Sequence, residues 1–217
     1  MAFHPSQEEA IRHTDGPMMV LAGPGSGKTT VITHRTKYLI EEKGIDPGHI
    51  LVITFTRAAA REMQERFEKL MEGKSLGVSF GTFHSVFFTI LKYAYRYQAS
   101  DIVREDQRVR YIREMMEQYE LEIEDEHEFV PAILSEISIV KSEMVDLTHY
   151  YSKNCSEAVF KKLYEGYEER MRKAGLLDFD DMLVKCYEIL STNDEGLRYC
   201  QEQYQFILAD EMQDTNA

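Results

Sequence analysis

Residues 22–30 read "AGPGSGKTT", and this segment constrains the architecture of the chain more than any other. It fits the phosphate-loop pattern, in which spaced glycines are followed by a lysine and a hydroxyl residue. The glycines allow backbone N–H groups to turn toward phosphate oxygens, and the helix that follows directs the positive end of its dipole to the same point. The residues expected to contact a bound nucleotide are Ala22, Gly23, Gly25, Ser26, Gly27, Lys28, Thr29 and Thr30.

Strand-like apolar runs alternate with helix-like stretches around this loop. The runs are "PMMVLA" (17–22), "HILVITF" (49–55) and "GVSFGTF" (77–83), and a helix-like stretch follows each of them. Repeated strand–helix units build parallel sheets with right-handed crossovers. The pattern therefore predicts an α/β fold with a parallel sheet.

The pattern changes after about residue 100. Long, charge-rich amphipathic stretches follow one another without a strand signature until "YQFILAD" (204–210). We predict that residues 1–100 form the first part of the α/β domain and that residues 101–177 form an all-helical insertion. Residues 178–217 are then expected to return to the same sheet.

Two adjacent carboxylates, Asp210 and Glu211, follow this last apolar run. A phosphate loop needs a carboxylate on a neighbouring strand to hold its metal ion, and Asp210 is the candidate. Lys28 is then expected to reach the β- and γ-phosphates, and the Thr29 hydroxyl to ligate Mg²⁺ together with Asp210. Glu211 is the candidate to orient and deprotonate the attacking water.

Composition limits the classes of protein to consider. The formal net charge is −13, so any nucleic-acid site must be local and not spread over the surface. Cys155, Cys186 and Cys200 are odd in number and lack CxxC spacing, which argues against a disulfide framework or a zinc site. The N-terminus has no signal-peptide pattern and no apolar run approaches about 18 residues, so we expect a cytoplasmic protein without a membrane segment.

Six motifs in order along the chain together resemble the UvrD/Rep/PcrA-type superfamily 1 DNA helicases. Two of them precede the second strand-like run: "FHPSQEEAI" (3–11) is similar to the adenine-reading Q motif, and "AGPGSGKT" (22–29) is similar to motif I. Two follow in the next part of the chain: "ITFTRAAAREMQER" (53–66) is similar to motif Ia, and "GTFHS" (81–85) is similar to motif Ib. The last two are "LDFDDML" (177–183), similar to the segment that re-enters the core domain, and "ADEMQDTN" (209–216), similar to motif II. The resemblance implies a P-loop, RecA-like parallel sheet, incomplete within these residues, that carries a helical accessory subdomain.

The same resemblance implies that the cofactors are ATP and Mg²⁺. Carried over by position, Gln7 reads adenine and Gln213 senses the γ-phosphate, while Lys28 and Glu211 serve catalysis. The resemblance also implies that Asp214 supports the site through other residues and does not contact the nucleotide directly. Thr30 stands where several family members carry an arginine near the nucleotide, so one contact is expected to be missing.

The resemblance also implies a DNA partner, either single-stranded DNA or a single-strand/duplex junction, with translocation from 3′ to 5′. Phe55, Thr56, Thr82 and His84 match positions that touch DNA in the family, and Arg57 is expected to meet a DNA phosphate. A phenylalanine offers a stacking face to any base. Without the resemblance, Phe55 fits core packing at a strand end, and His84 fits a capping or core histidine.

One aromatic run, "YAYRYQ" (93–98), also suggests base stacking. Its helical spacing favours core and interface packing instead.

The leading hypothesis is the N-terminal part of an ATP-dependent DNA helicase. The 217 residues lack the family's later motifs, its second RecA-like domain, and the arginines that stabilise the transferring phosphoryl group, which are worth on the order of 10³ to 10⁵ in rate. Such a chain is expected to bind ATP–Mg²⁺, to hydrolyse it slowly, not to unwind DNA, and to need that second domain in cis.

Two alternatives remain at this point: a stand-alone nucleotide-dependent protein-interaction module, and a small P-loop kinase with a helical lid. The oligomeric state is undetermined. Sheet strands expected after motif II would leave an open edge if missing, and an open edge invites pairing with another chain.

Overall fold

The computed structural model of the protein describes residues 3–211. The strands are β1 (Ile50–Thr54), β2 (Ser79–Thr82) and β3 (Phe206–Ala209). The helices are α1 (Pro5–Arg12), α2 (Lys28–Glu41), α3 (Arg57–Leu70), α4 (Phe83–Tyr95), α5 (Glu105–Gln118), α6 (Glu126–Ser142), α7 (Glu157–Ala174), α8 (Phe179–Thr192) and α9 (Asp194–Gln203). The α/β class is confirmed.

The three strands form one parallel sheet in the order β2–β1–β3. In β1, Ile53 pairs with Gly81 of β2 on one side and with Ala209 of β3 on the other. The central strand is buried at every position. Because parallel strands present their carboxyl ends at the same edge of a sheet, the residues that follow β1, β2 and β3 lie along one edge.

The strand predicted at residues 17–22 does not form, and this prediction was wrong. Met19 and Leu21 in that run are 76% and 91% exposed, and the backbone there joins no sheet in the part of the chain that the structure describes. An apolar run adopts strand structure only when a neighbouring strand takes up its backbone hydrogen bonds. The outer edge of β3 lacks a paired strand among residues 3–211.

The chain divides into two compact units. The first contains residues 3–86 and 193–211, and the second contains residues 87–192, so that one boundary falls inside α4. In the first unit, Leu39 of α2 and Met63 of α3 pack with Ile50 and Val52 of β1 in one hydrophobic cluster. Apolar burial of this kind is the main driving force that holds helices against a sheet.

The second unit contains the part of α4 from residue 87 onward and the helices α5, α6, α7 and α8. Apolar side chains from α5, α6 and α7 form its core, and an isolated parallel bridge joins Ile102 to Leu177. Within residues 3–211, each helix is too short or too polar to cross a membrane.

A buried charge cluster lies in this second unit. The Lys141 Nζ atom lies 2.9 Å from Asp178 Oδ2, 2.7 Å from Asp181 Oδ1 and 2.8 Å from Glu168 Oε1. The side chains of Lys141 and Asp178 are 4% and 1% exposed, so water screens this pair little. We call these four residues the Lys141 cluster.

Burial opposes the charged forms of Lys141, Asp178 and Asp181, and the neighbouring charges decide the direction in which each pKa moves. For Lys141 the carboxylates outweigh burial and raise the pKa, whereas for Asp178 the lysine outweighs burial and lowers the pKa. Burial and the charge of Asp178 raise the pKa of Asp181 to about 6. Tyr167 donates to Asp178 Oδ2 at 3.1 Å and accepts from Arg108 Nε at 3.0 Å, which links α5 and α7 to the cluster.

The open edge of β3 and the exposed 17–22 run predict self-association. Ile207 is 60% exposed, and an unpaired edge beside exposed apolar side chains favours pairing with another copy. We expect light scattering to show an average mass that rises with protein concentration. Ile207→Lys should lower that mass, while Leu197→Lys on α9, which also replaces an exposed aliphatic side chain, should not. A monomer at every concentration would contradict this prediction.

Candidate nucleotide-binding site

The phosphate loop folds as a Gly-rich turn that opens α2. Gly27 stands at the N-cap of α2 with φ 84°, in the left-handed region, and Ser26 N donates to Gly23 O at 3.3 Å. A β-carbon on Gly27 would lie 3.2 Å from Gln7 Nε2. Glycine is therefore required here both by the backbone conformation and by the close approach of Gln7.

Gln7 connects α1 to this loop. Its Oε1 accepts from His4 N at 3.0 Å, and its Nε2 donates to Ser26 O at 2.9 Å. The first bond closes a capping box at the start of α1, which fixes the side chain that reaches the loop. An amide group has two donors and two acceptor lone pairs, so Gln7 keeps capacity for a further ligand.

Arg35 of α2 holds α1 in this position, and the sequence analysis missed it. Its Nη1 donates to Ala10 O at 2.9 Å and also to His13 O. The residue is 9% exposed, and burial lowers the pKa of its guanidinium. Only its place on the buried side of α2, beside Thr36, signals such a role, because a bond to a distant backbone carbonyl has no pattern in sequence.

The acidic residues meet the loop at the end of β3. Asp210 N donates to Ile53 O at 2.9 Å, which continues the pairing of β3 with β1 by one residue. The next residue, Glu211, lies with Oε1 3.3 Å from Lys28 Nζ. The structure therefore brings together two motifs that stand at opposite ends of the chain.

Lys28 offsets part of the negative charge of Asp210 and Glu211. Burial raises the pKa of Asp210, and the neighbouring Glu211 raises it further, while a backbone hydrogen bond and Lys28 act in the opposite direction. Two adjacent carboxylates against one ammonium leave a negative excess that favours a cation. The donor set therefore suits a divalent cation held together with phosphate oxygens.

The two threonines after Lys28 lie in the first turn of α2. Thr29 and Thr30 are half-buried, and their carbonyls accept from Thr33 Oγ1 at 3.0 and 3.1 Å. His34 Nδ1 lies 2.8 Å from Thr30 O. Within residues 3–211, the Thr29 hydroxyl has no hydrogen-bond partner, so it is available to a ligand.

The residues after β1 reach the same sheet edge. Phe55 is 55% exposed, so core packing does not account for it. Thr56 caps α3 by accepting from Ala59 N at 3.1 Å, and its carbonyl accepts from Thr54 Oγ1 at 2.9 Å. Arg57 is exposed at the start of α3.

The end of β2 is shaped by a local network. Thr82 N donates to Ser85 Oγ at 2.8 Å, and Ser85 N donates to Thr82 Oγ1 at 3.2 Å. A β-carbon on Gly81 would lie 2.7 Å from Ser85 Oγ, so the network needs glycine there. Thr82 is 7% exposed and His84 is half-buried. Ser85 is a second residue that the sequence analysis missed, although the "TFHS" motif contains it.

The predicted sites Gln213 and Asp214 lie outside the described residues. Within those residues, the structure assembles the phosphate loop, Lys28, Asp210 and Glu211 in one place, with Phe55 and Thr56 along the same sheet edge.

A glycine-rich loop that opens a helix, with carboxylates at the end of a parallel strand beside its lysine, defines a P-loop nucleotide-binding protein with a RecA-like sheet. The chain belongs to the UvrD/Rep helicase family: residues 3–217 match the family described as "UvrD/REP helicase N-terminal domain".

Two relatives show what share of the length of such helicases the chain matches. It is 36% identical to the ATP-dependent DNA helicase PcrA of Bacillus subtilis over 99% of the chain and 30% of that protein. It is 34% identical to PcrA of Staphylococcus aureus over 97% of the chain and 29% of that protein. The chain thus spans less than a third of the length of these relatives.

Proposed function

We propose that this chain binds ATP with Mg²⁺ and single-stranded DNA, and that it contributes the N-terminal ATP-binding part of a 3′-to-5′ DNA helicase activity. The observation that carries this proposal is the 3.3 Å approach of Lys28 Nζ to Glu211 Oε1. A phosphate-binding lysine and a water-activating carboxylate need to lie beside the same phosphate. The family membership and the names of the relatives support it.

The positions of the site residues support the following proposed roles. Lys28 would bind the β- and γ-phosphates, and the loop backbone from Gly23 to Gly27 would surround them. Thr29 and Asp210 would hold Mg²⁺, which neutralises phosphate charge when bound.

Glu211 would take the proton of the attacking water. Gln7 would read adenine while it braces the loop, and Gln213 would sense the γ-phosphate.

The DNA side of the proposal uses the other residues at the sheet edge. Phe55 offers an exposed ring on which a base can stack, and Arg57 offers a cation to a phosphate. Thr82 and His84 flank the end of β2. Because Thr82 is nearly buried and bonded to Ser85, its proposed contribution is to fix the shape of the loop that follows β2.

We further propose that these residues alone hydrolyse ATP slowly and do not unwind DNA. Asp210 and Glu211 carry negative charge next to the phosphate loop, and arginines that offset the charge of the transferring group are worth on the order of 10³ to 10⁵ in rate. A second RecA-like domain in cis would supply such arginines. A nucleotide-dependent interaction module, in contrast, would bind ATP without any response to single-stranded DNA.

The metal site predicts that ATP binding depends on Asp210. For the wild type, removal of Mg²⁺ with EDTA should weaken binding of a fluorescent ATP analogue by about 10-fold or more, because metal and phosphate bind together. Asp210→Asn should bind the analogue weakly in Mg²⁺ and show little further loss in EDTA. Titration by fluorescence in both buffers measures the two affinities.

Asp15→Asn, which neutralises an exposed aspartate of the same unit, is the matched control and should behave as the wild type. An Asp210→Asn protein that keeps the full response to Mg²⁺ would show that the metal is held elsewhere.

A further inference from the structure

The aromatic run at the end of α4 is exposed, contrary to the core packing predicted from its spacing. Tyr93 and Tyr95 are 78% and 51% exposed, and Leu91 takes the buried position on this part of the helix. The helical spacing of the run therefore gave a wrong prediction of which side chains face the core. Exposed tyrosine rings of this kind leave a large apolar surface in water unless a partner covers it.

The local backbone brings a third ring beside them. Arg96 adopts φ 61°, in the left-handed region, and its N–H donates to Lys92 O at 3.0 Å, which closes the last turn of α4. The rings of Tyr95 and Tyr97, on either side of Arg96, lie with centroids 5.9 Å apart at an interplanar angle of 59°. We call Lys92, Tyr93, Tyr95, Arg96 and Tyr97 the tyrosine patch.

The stretch of sequence that contains the tyrosine patch has basic residues and no acidic ones. From Gly73 to Ser100 the chain has no aspartate or glutamate, although 38 of its 217 residues are acidic. Lys92 and Arg96 are exposed, and in the described part of the chain no carboxylate pairs with either. The first carboxylate after the patch, Asp101, is engaged locally, because it accepts from Gln98 N at 2.7 Å.

This combination identifies the chemistry of the partner. Elsewhere the negative charge of the chain repels polyanions, so a carboxylate-free stretch with unpaired cations is where a phosphate backbone meets the least opposition. Exposed rings next to those cations offer stacking faces to unpaired bases, which duplex DNA does not present. Thr82 and His84 belong to the same carboxylate-free stretch of sequence.

We propose that the tyrosine patch is a second contact for single-stranded nucleic acid, in which unpaired bases stack on Tyr93 and Tyr95 while Lys92 and Arg96 meet phosphates. This inference rests on the proposed function, since it adds a second contact for the same class of ligand. It predicts that the exposed tyrosine rings contribute to the affinity by stacking on bases. It also predicts that the two cations make the affinity depend on salt concentration.

The test uses the whole chain and a fluorescein-labelled 20-nucleotide oligo(dT), with binding followed by fluorescence anisotropy. The Tyr93→Ala/Tyr95→Ala protein should bind about 10- to 100-fold more weakly than the wild type, since stacking contributes on this scale per base. The Tyr93→Phe/Tyr95→Phe protein keeps the rings and should bind as the wild type. Lys92→Gln/Arg96→Gln should bind more weakly at low salt and with a shallower dependence on salt concentration.

The matched control is Tyr151→Ala/Tyr187→Ala, which removes two tyrosines that are 74% and 59% exposed elsewhere in the same unit. This protein should keep wild-type affinity. Melting temperatures of all variants should agree, because every replaced ring lies in solvent. Equal oligo(dT) affinity for the wild type and the Tyr93→Ala/Tyr95→Ala protein would overturn the proposal.

Two further outcomes separate this inference from the proposed function. If Phe55→Ala weakens oligo(dT) binding and the tyrosine variant does not, the sheet edge binds DNA and the patch does not. If no protein binds oligo(dT), both fail. A parallel titration with poly-glutamate tests an acidic protein partner: loss of poly-glutamate binding alone in the patch variant would overturn the nucleic-acid assignment.

Discussion

Lys28→Ala is expected to weaken ATP binding by about 10- to 100-fold, with the melting temperature unchanged. The loss follows from a charge-assisted hydrogen bond to phosphate, which is worth about 1.5–3 kcal/mol, since each 1.4 kcal/mol changes affinity tenfold. Isothermal titration with ATP in Mg²⁺ buffer measures the affinity, and a thermal melt measures the stability.

The unchanged melting temperature distinguishes a lysine that binds ligand from a lysine that forms a structural ion pair. Lys28 and Glu211 have side chains that are 33% and 36% exposed, and pairs so accessible to water contribute about 0–1 kcal/mol. Removing the lysine therefore changes the stability of the fold little, while it removes the side chain that binds phosphate. If the pair mattered mainly to the fold, the melting temperature would fall and ATP affinity would not.

Lys37→Ala provides the matched control on the same helix. Its side chain is also 33% exposed and pairs with Glu41 at 3.6 Å, so both substitutions remove a lysine of α2 with similar exposure and a similar partner. Lys37→Ala should bind ATP as the wild type does. Equal ATP affinity for the wild type and Lys28→Ala would refute the phosphate-loop assignment.

The sheet was predictable where local sequence carried the whole signal. Residues 50–54 and 206–209 are apolar runs next to turn or polar residues, and they pair as the alternation of strands and helices predicts. The run at 17–22 has the same composition and remains exposed, because a strand also needs a paired neighbour, which composition does not reveal. Leu21, at 91% exposed, shows that apolar character alone does not decide burial.

The candidate site was predictable to the extent that its groups sit in motifs. The sequence predicts that Asp210 and Glu211 return to the phosphate loop, because the loop requires a strand carboxylate, and the structure places Glu211 Oε1 3.3 Å from Lys28 Nζ. Arg35 and Ser85 were missed because each acts through bonds to backbone groups, which leave no periodic or compositional trace. The Lys141 cluster was also missed, although Lys141 follows Ile137 by four positions on the buried side of α6, a place where a lysine needs a carboxylate partner.

Lys141→Met is expected to lower the free energy of unfolding by about 3–5 kcal/mol, the usual cost of removing one partner from a buried ion pair. The methionine fills a similar volume, so the loss comes from charge and not from a cavity. Asp178, with a side chain only 1% exposed, would keep a buried negative charge without its cation. Urea unfolding followed by circular dichroism measures the change.

The matched control is Lys161→Met on α7, whose side chain is 52% exposed and lies 4.0 Å from Glu165. It should change stability by no more than about 0.5 kcal/mol. The double variant Lys141→Met/Asp178→Asn should recover part of the loss, because it removes the most deeply buried carboxylate and leaves only Asp181 and Glu168 without their cation. A double variant less stable than Lys141→Met would show that the pair does not act as a unit.

The pH dependence gives a readout that a packing defect would not produce. In the wild type, the lysine lowers the pKa of Asp178, so the stability from this group is kept down to about pH 4 and lost below it. In Lys141→Met, the buried carboxylates lose their cation and their pKa values rise, so the folded state binds protons more tightly than the unfolded chain. The stability of the variant should therefore increase as the pH falls from 7 toward 4. Asp181, whose pKa is already about 6 in the wild type, gives the wild type a smaller increase over the same range. The gap between the two proteins should narrow toward acid pH, whereas a gap that stays constant from pH 7 to pH 5 would assign the loss to packing.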